Sequence, residues 1–266
     1  MISLHNSFLR TFKLISSAKY LPHPDKVKTG GEDSFFISKD KHTIGVADGV
    51  GGWSKYPGAN SAKYSRDLMN YCDQNSNLLT PLEILKKAYH QLDFKVLGST
   101  TALICKLHDN NKLSICNIGD SGLSIYRKNQ LMFIMKECTH GFNFPKQLGC
   151  TQRDLPEDSV TDEFIVEDGD LILAGTDGVW DNIWNEDIEK IIDDVFNKNE
   201  NKNLSKEMKM KIISEKICQE AQNNGKNPNY YSPFEQDAHN YGLHFRGGKL
   251  DDTTIISSIV VNDNEK

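Results

Sequence analysis

Acidic side chains in this chain recur where apolar runs stop. Residues 43–53, TIGVADGVGGW, carry an apolar run through Ala47 into Asp48 and Gly49, and a longer run ending at Ala174 delivers Asp177 and Gly178 in the same way. A buried strand that ends on a carboxylate at a tight turn aims that carboxylate out of a sheet edge, where a cation can be held. Asp followed by Gly is also an ordinary hairpin turn, and Asp168 with Gly169 is read in that plain way. The case for chemistry rests on the further acids. Glu32 and Asp33 open a strand over residues 34–38, Asp251 and Asp252 head the β-branched closing run, and Asp120 sits in a GDSG turn. Neighbours on a strand point to opposite faces, so only one of Glu32 and Asp33 can aim directly into a shared site. Were these strand ends to converge, their negative charges would be untenable without cations. An all-oxygen set with no His or Cys selects hard ions such as Mg²⁺ or Mn²⁺. Two such ions bridged by a carboxylate clamp the attacking and leaving oxygens of a phosphoryl transfer and acidify a water, so phosphate-ester hydrolysis is the natural reaction.

The elements that must position these groups follow from patterning. A strand over residues 34–38 turns at 39–41 into the strand that ends at Ala47. Asn60 or Ser61 caps a helix through Tyr71, and Thr80 caps a second helix that has Pro81 in its first turn and runs to about Val96. From Gly98, four short strands are separated by DNN, GDSG and RKNQ turns, which predicts antiparallel neighbours. The aromatic stretch 139–149, THGFNFPKQLG, reads as an Ω-loop packed on Phe142 and Phe144, with a cleft rim as the alternative. Residues 162–183 read as a strand pair, residues 181–195 as a helix, residues 204–222 as a lysine-rich helix with a solvated face, and residues 223–248 as loop.

Bulk properties bound the possibilities. The 266 residues are expected to form a single domain over 21–263, preceded by a basic segment at 1–20. A net charge of -6, from 37 acidic and 31 basic residues, gives no reason to expect a nucleic-acid partner. No apolar run approaches the ~20 residues that cross a bilayer. Cysteines at 72, 105, 116, 138, 150 and 218 form no CxxC pair and are read as reduced, core-filling thiols. Residues 1–24 hold Arg10, Lys13 and Lys19 and no acid, and Ile2, Phe8, Leu9, Phe12 and Ile15 could share a helix face. That pattern fits an organelle transit peptide, with a simple basic terminus as its rival. His140 could approach a cleft, although a structural role is the expected one, and Trp53 and Trp180 read as core anchors.

In order along the chain, GGED, VADGVGG, GSTT, NIGDSG, GDLILAGTDGVWD and KLDDTT resemble the metal-dependent Ser/Thr phosphatases of protein phosphatase type 2C, from about residue 20 to 261. LPHPDKVKTGGED, GVGGW, FNFPKQLG and the SPF before GGKLDD are similar to the subgroup that includes the mitochondrial matrix phosphatase. The resemblance implies an α+β fold, a four-layer α-β-β-α sandwich of two antiparallel sheets flanked by helices, with two Mn²⁺ or Mg²⁺ ions at one edge. Carried over, Asp48 would bridge both ions and the Gly49 carbonyl would hold one. Asp177 and Asp251 would complete the set, Glu32 and Asp33 would act partly through water, and Asp120 would help hold a third, weaker ion. Two departures stand out. Val50 replaces the His proposed as general acid, and Lys28 stands where the family has a phosphate-binding Arg, offering a point charge in place of a bidentate fork. The expected activity is hydrolysis of phosphoserine and phosphothreonine in phosphoprotein substrates by a monomer, mitochondrial or else cytoplasmic. A catalytically weak phospho-binding module is the alternative, and a metal phosphodiesterase or nuclease would want a basic groove.

Overall fold

A computed structural model of the chain describes residues 12–262. Two five-stranded antiparallel sheets make its centre. The first runs in the order β1 (Phe12–Leu21), β14 (Thr253–Asn262), β13 (Leu171–Gly175), β7 (Gly122–Arg127), β8 (Gln130–Ile134). The second runs β12 (Val160–Ile165), β6 (Lys112–Ile118), β5 (Ala102–Leu107), β3 (Thr43–Ala47), β2 (Ser34–Ile37). Two short pairs lie outside them, β4 (Ser99–Thr100) with β11 (Leu148–Gly149), and β9 (Thr139–Gly141) with β10 (Phe144–Pro145).

Inward residues of the two sheets, among them Ile44, Val46, Leu103, Ile115, Leu123, Ile125, Ile172 and Ile256, interdigitate as the central core. Because the outer faces are apolar too, each sheet needs a second cover. Helices α1 (Ser61–Gln74) and α2 (Pro81–Tyr89) bury Leu68, Met69, Ile84 and Leu85 against the second sheet. Helices α4 (Asn185–Asn197) and α5 (Lys206–Gly225) bury Ile188, Ile192, Ile213 and Ile217 against the first. The single turn α3 (Asp177–Trp180) and α6 (Pro233–Asn240) complete the set. The four-layer α-β-β-α sandwich is thus present.

Several local expectations are corrected. Residues 12–21 are a strand, not one face of a helix: Phe12 and Leu14 are buried, a period of two, and every residue from Phe12 to Leu21 pairs with β14. Residues 12–20 of the basic segment set apart at 1–20 are therefore built into a sheet, while Ile2, Phe8 and Leu9 lie outside the described residues. Consecutive strands do not always pair. β5 with β6 and β7 with β8 are hairpins, but β6 and β7 sit in different sheets, so the GDSG turn crosses the sandwich. The expected pair β12 and β13 is likewise split, because each finds a longer ladder elsewhere, β12 on β6 and β13 between β14 and β7. Helix α2 stops at Tyr89, short of Val96; beyond it the Asp93 carboxylate accepts from Lys95 N at 3.0 Å, an Asx turn that competes with helix. The presumed loop over 223–248 contains α6, whose N-terminus is fixed by Ser232 accepting from Glu235 N at 3.0 Å, the S-x-x-E signature of SPFE. All six cysteines are free thiols and five are buried.

Candidate metal centre

Register brings the acidic strand ends to one edge. Ser34 pairs with Ala47, so the start of β2 lies beside the end of β3. Gly175 pairs with both Ile255 and Gly122, which puts the end of β13 beside the starts of β14 and β7. Asp33 stitches the two sheets together there: its Oδ2 accepts from Thr176 Oγ1 at 2.8 Å and from Thr254 Oγ1 at 2.6 Å. A cavity of about 580 Å³ opens at this edge, with Asp48, Asp120, Asp177, Asp251 and Lys249 on its wall.

Asp48 is held by its backbone. Its N–H donates to Thr101 Oγ1 at 3.1 Å, and its carbonyl accepts from Thr100 Oγ1 at 2.8 Å and Thr101 N at 2.9 Å, so the GSTT motif fixes the Asp48 backbone. Gly49 follows because a Cβ there would meet Ser61 O at 2.7 Å and Glu32 O at 2.8 Å. Gly178 is required similarly, since a Cβ would stand 1.9 Å from Asp252 O.

Burial pushes the Asp48 carboxyl well above its usual range, and the charges of Asp177, Asp33 and Asp251 push it further. Asp33 and Asp120 are raised for the same leading reason. Asp251 is pushed up to about 6 by burial and then by Asp177, against Lys249 and Lys26. Asp177 is also buried, but the charge and hydrogen bond of Lys249 outweigh that and hold it below the ordinary value. Nζ of Lys249 donates to Asp177 Oδ2 at 2.5 Å and to Asp181 Oδ2 at 2.7 Å.

Among the described residues, no three His, Cys, Asp or Glu side chains stand close enough as placed to hold an ion. The donor set itself fits hard divalent ions. Asp33 and Asp177 each have one oxygen fixed by protein donors, while Asp33 Oδ1 and Asp177 Oδ1 are buried with no partner. Buried carboxylate oxygens without a donor are costly unless a cation meets them.

The remaining sequence candidates fall into place unevenly. Glu32 Oε2 accepts from Lys26 Nζ at 2.5 Å, and Glu32 is not on the cavity wall. Asp252 turns away from the cavity to accept from His23 N at 2.6 Å and Glu32 N at 2.7 Å, leaving Asp251 as the acid that faces it. Lys28 is exposed and outside the lining; the short helical turn before it aims Lys26 inward instead, and the wall carries Lys55. Val50 lines the cavity. His140 does not: its Nε2 lies 2.9 Å from Asp154 Oδ1, and Asp154 also accepts from Gln147 N, so the pair braces the 139–149 stretch. That stretch proves to be the rim, with Asn143, Phe144, Pro145 and Gln147 on the wall. Trp180 is an anchor, Nε1 donating to Gly175 O at 3.0 Å, whereas Trp53 joins the cavity wall. Lys249 and Asp181 were missed; the KLDD and DGVWD spacings placed them beside recognised acids, but nothing in the sequence joins them.

No protein-family model matches the chain. Curated relatives do. The chain is 37% identical over 261 residues to "Probable protein phosphatase 2C 80" of Arabidopsis thaliana, covering 96% of this chain and 60% of that protein. It is 34% identical over 258 residues to "Protein phosphatase 2C homolog 7, mitochondrial" of Saccharomyces cerevisiae, covering 85% and 73%. Against "Protein phosphatase PTC7 homolog" of Xenopus laevis it is 34% identical over 249 residues, covering 86% and 81%. The chain belongs to the protein phosphatase 2C family. It spans 60%, 54% and 43% of the length of three plant relatives. Among solved structures, the photosystem II phosphatase PBCP superposes with a TM-score of 0.81 at 28% identity, over 92% of this chain and 98% of that one. The catalytic domain of the serine threonine protein phosphatase PstP, in complex with 2 manganese ions, shares the fold with a TM-score of 0.65 at 16% identity, over 94% and 100%.

Proposed function

We propose that the chain is a Mn²⁺- or Mg²⁺-dependent phosphatase that hydrolyses phosphoserine and phosphothreonine in proteins. The observation that carries this reading is the buried, orphaned Asp177 Oδ1 on a cavity that Asp48 and Asp251 also line, with a second orphaned oxygen, Asp33 Oδ1, buried at the same edge. Asp48 would hold both ions, with the Gly49 carbonyl, Asp177 and Asp251 completing the set. Asp33 and Glu32 would contribute partly through water, and Asp120 also lines the cavity. Bound ions supply Lewis acidity at phosphorus and an activated water.

The chain's own residues do the rest. Thr100 and Thr101 fix Asp48 from behind, and Thr176 and Thr254 fix Asp33. Lys55 lines the cavity and Lys28 does not, which supports Lys55 over Lys28 as the lysine that meets the phosphate. The aromatic rim at Phe144 and Trp53 gives an apolar surface for the flanking peptide. With Val50 on the wall and no His among the lining residues, the proton for the leaving serine or threonine oxygen would come from water or from another group on the wall.

A complete set of acids, joined with family membership, supports the enzyme over a non-catalytic module. The mitochondrial name of the yeast relative supports a mitochondrial site of action. Phosphate release from a phosphothreonine peptide is the test: release with Mn²⁺, none in EDTA, and loss in Asp177→Asn are expected. A well-folded protein that releases none with Mn²⁺ would sink the proposal.

A further inference from the structure

Lys249 is gripped at both ends. Its N–H donates to Asn182 Oδ1 at 2.8 Å and its carbonyl accepts from Asn182 Nδ2 at 2.7 Å, which pins the backbone just before β14 to the turn that follows α3. Its ammonium group meets Asp177 Oδ2 at 2.5 Å and Asp181 Oδ2 at 2.7 Å, and lies 5.0 Å from the centre of the Phe234 ring. The side chain is only 17% exposed.

Asp177 and Asp181 are one helical turn apart, so their carboxylates point the same way and converge on a spot that calls for a positive charge. An ammonium group and a divalent ion cannot share that spot, and the Lys249 ammonium already occupies it. Phe234 adds a cation–π contact on a further side, a face that suits an ammonium group and offers a divalent ion no oxygen ligand. The consequence for Asp177 is asymmetric: Oδ2 is committed to lysine while Oδ1 is buried and unpartnered.

Building on the metal-centre reading, we propose that Lys249 is a resident cation. It fills the place between Asp177 and Asp181 that a further divalent ion would otherwise take, and it turns Asp177 so that a single oxygen faces the ions held with Asp33, Asp48 and Asp251. Asp181 thereby serves the lysine and holds no ion.

Mn²⁺ bound per chain, counted by calorimetric titration and elemental analysis of the full chain, tests this. Asp181→Asn is expected to leave the wild-type count unchanged, Lys249→Met to raise it by one, and the double variant to return it to the wild-type value. A lower count in Asp181→Asn, or no added ion in a Lys249→Met protein with a native circular dichroism spectrum, overturns the proposal. Should Lys249→Met fail to fold, the Asp181→Asn count decides alone. Wild-type protein that takes up no Mn²⁺ would instead bring down the metal centre itself, and this inference with it.

Discussion

Three of the acids at this edge are held by protein groups, and the holding differs from residue to residue. Asp33 has two threonine hydroxyls, Asp177 has a lysine, and Asp48 has its backbone bonded to the GSTT motif. Burial raises Asp33, Asp48 and Asp120 above the ordinary carboxylate range, Asp251 to about 6 and Asp181 to about 7. A carboxyl group raised on folding stabilises the fold below its unfolded pKa of ~4, and that contribution is lost as pH climbs through the folded value. Asp177 is lowered and acts in the opposite sense, below that window. In EDTA the melting temperature should therefore fall from about pH 5 to about pH 8, and saturating Mn²⁺ should flatten the fall. A flat or rising ion-free profile over that range would contradict the account. Val50 offers a second residue-level prediction. Placing an imidazole on the wall with Val50→His should raise kcat by up to ~10²-fold, since general acids contribute ~10²–10⁴-fold. An unchanged kcat would show that protonation of the leaving oxygen does not limit turnover. Asp48, Asp177 and Asp251 were legible because a strand-to-turn pattern is local. The service of Asp252 to the loop at His23 and Glu32, and of Asp181 to Lys249, depends on pairings across 229 and 68 residues that no local pattern records.

Among the elements, β1 carries the clearest consequence. It covers one side of β14 along its whole length, and it buries Phe12 and Leu14. Deleting a large buried side chain costs ~2–5 kcal/mol, so losing these two, together with a ladder of hydrogen bonds, consumes much of the ~5–15 kcal/mol that a domain has. A chain beginning at residue 25 should be insoluble or unfolded by circular dichroism, whereas one beginning at residue 12 should melt like the full chain. Equal stability of the two would mean β1 is dispensable. Helix positions were legible through their caps, Asn60 and Thr80, each of which accepts from the N3 backbone. Strand partners were not. Apolar runs such as residues 113–118 and 171–174 suit either sheet, so the sequence cannot say that the GDSG turn bridges the sandwich.

For the molecule as a whole, the two sheets are joined at the acidic edge by direct hydrogen bonds, Asp33 to Thr176 and Thr254 and Glu32 N to Asp252 among them. Ions bound between the sheets would act as a clamp, and binding to the folded state alone adds ~2.7 kcal/mol at a hundredfold excess over Kd. The same geometry places the donors of both sheets around one cavity, so stability and activity should respond to the same ligand. The most direct test is a thermal melt with and without saturating Mn²⁺, comparing wild type with Asp48→Asn. A melting temperature raised by several degrees in wild type and unmoved in the variant is the expected result. An equal rise in both, or none in either, would contradict the metal centre on which the account stands.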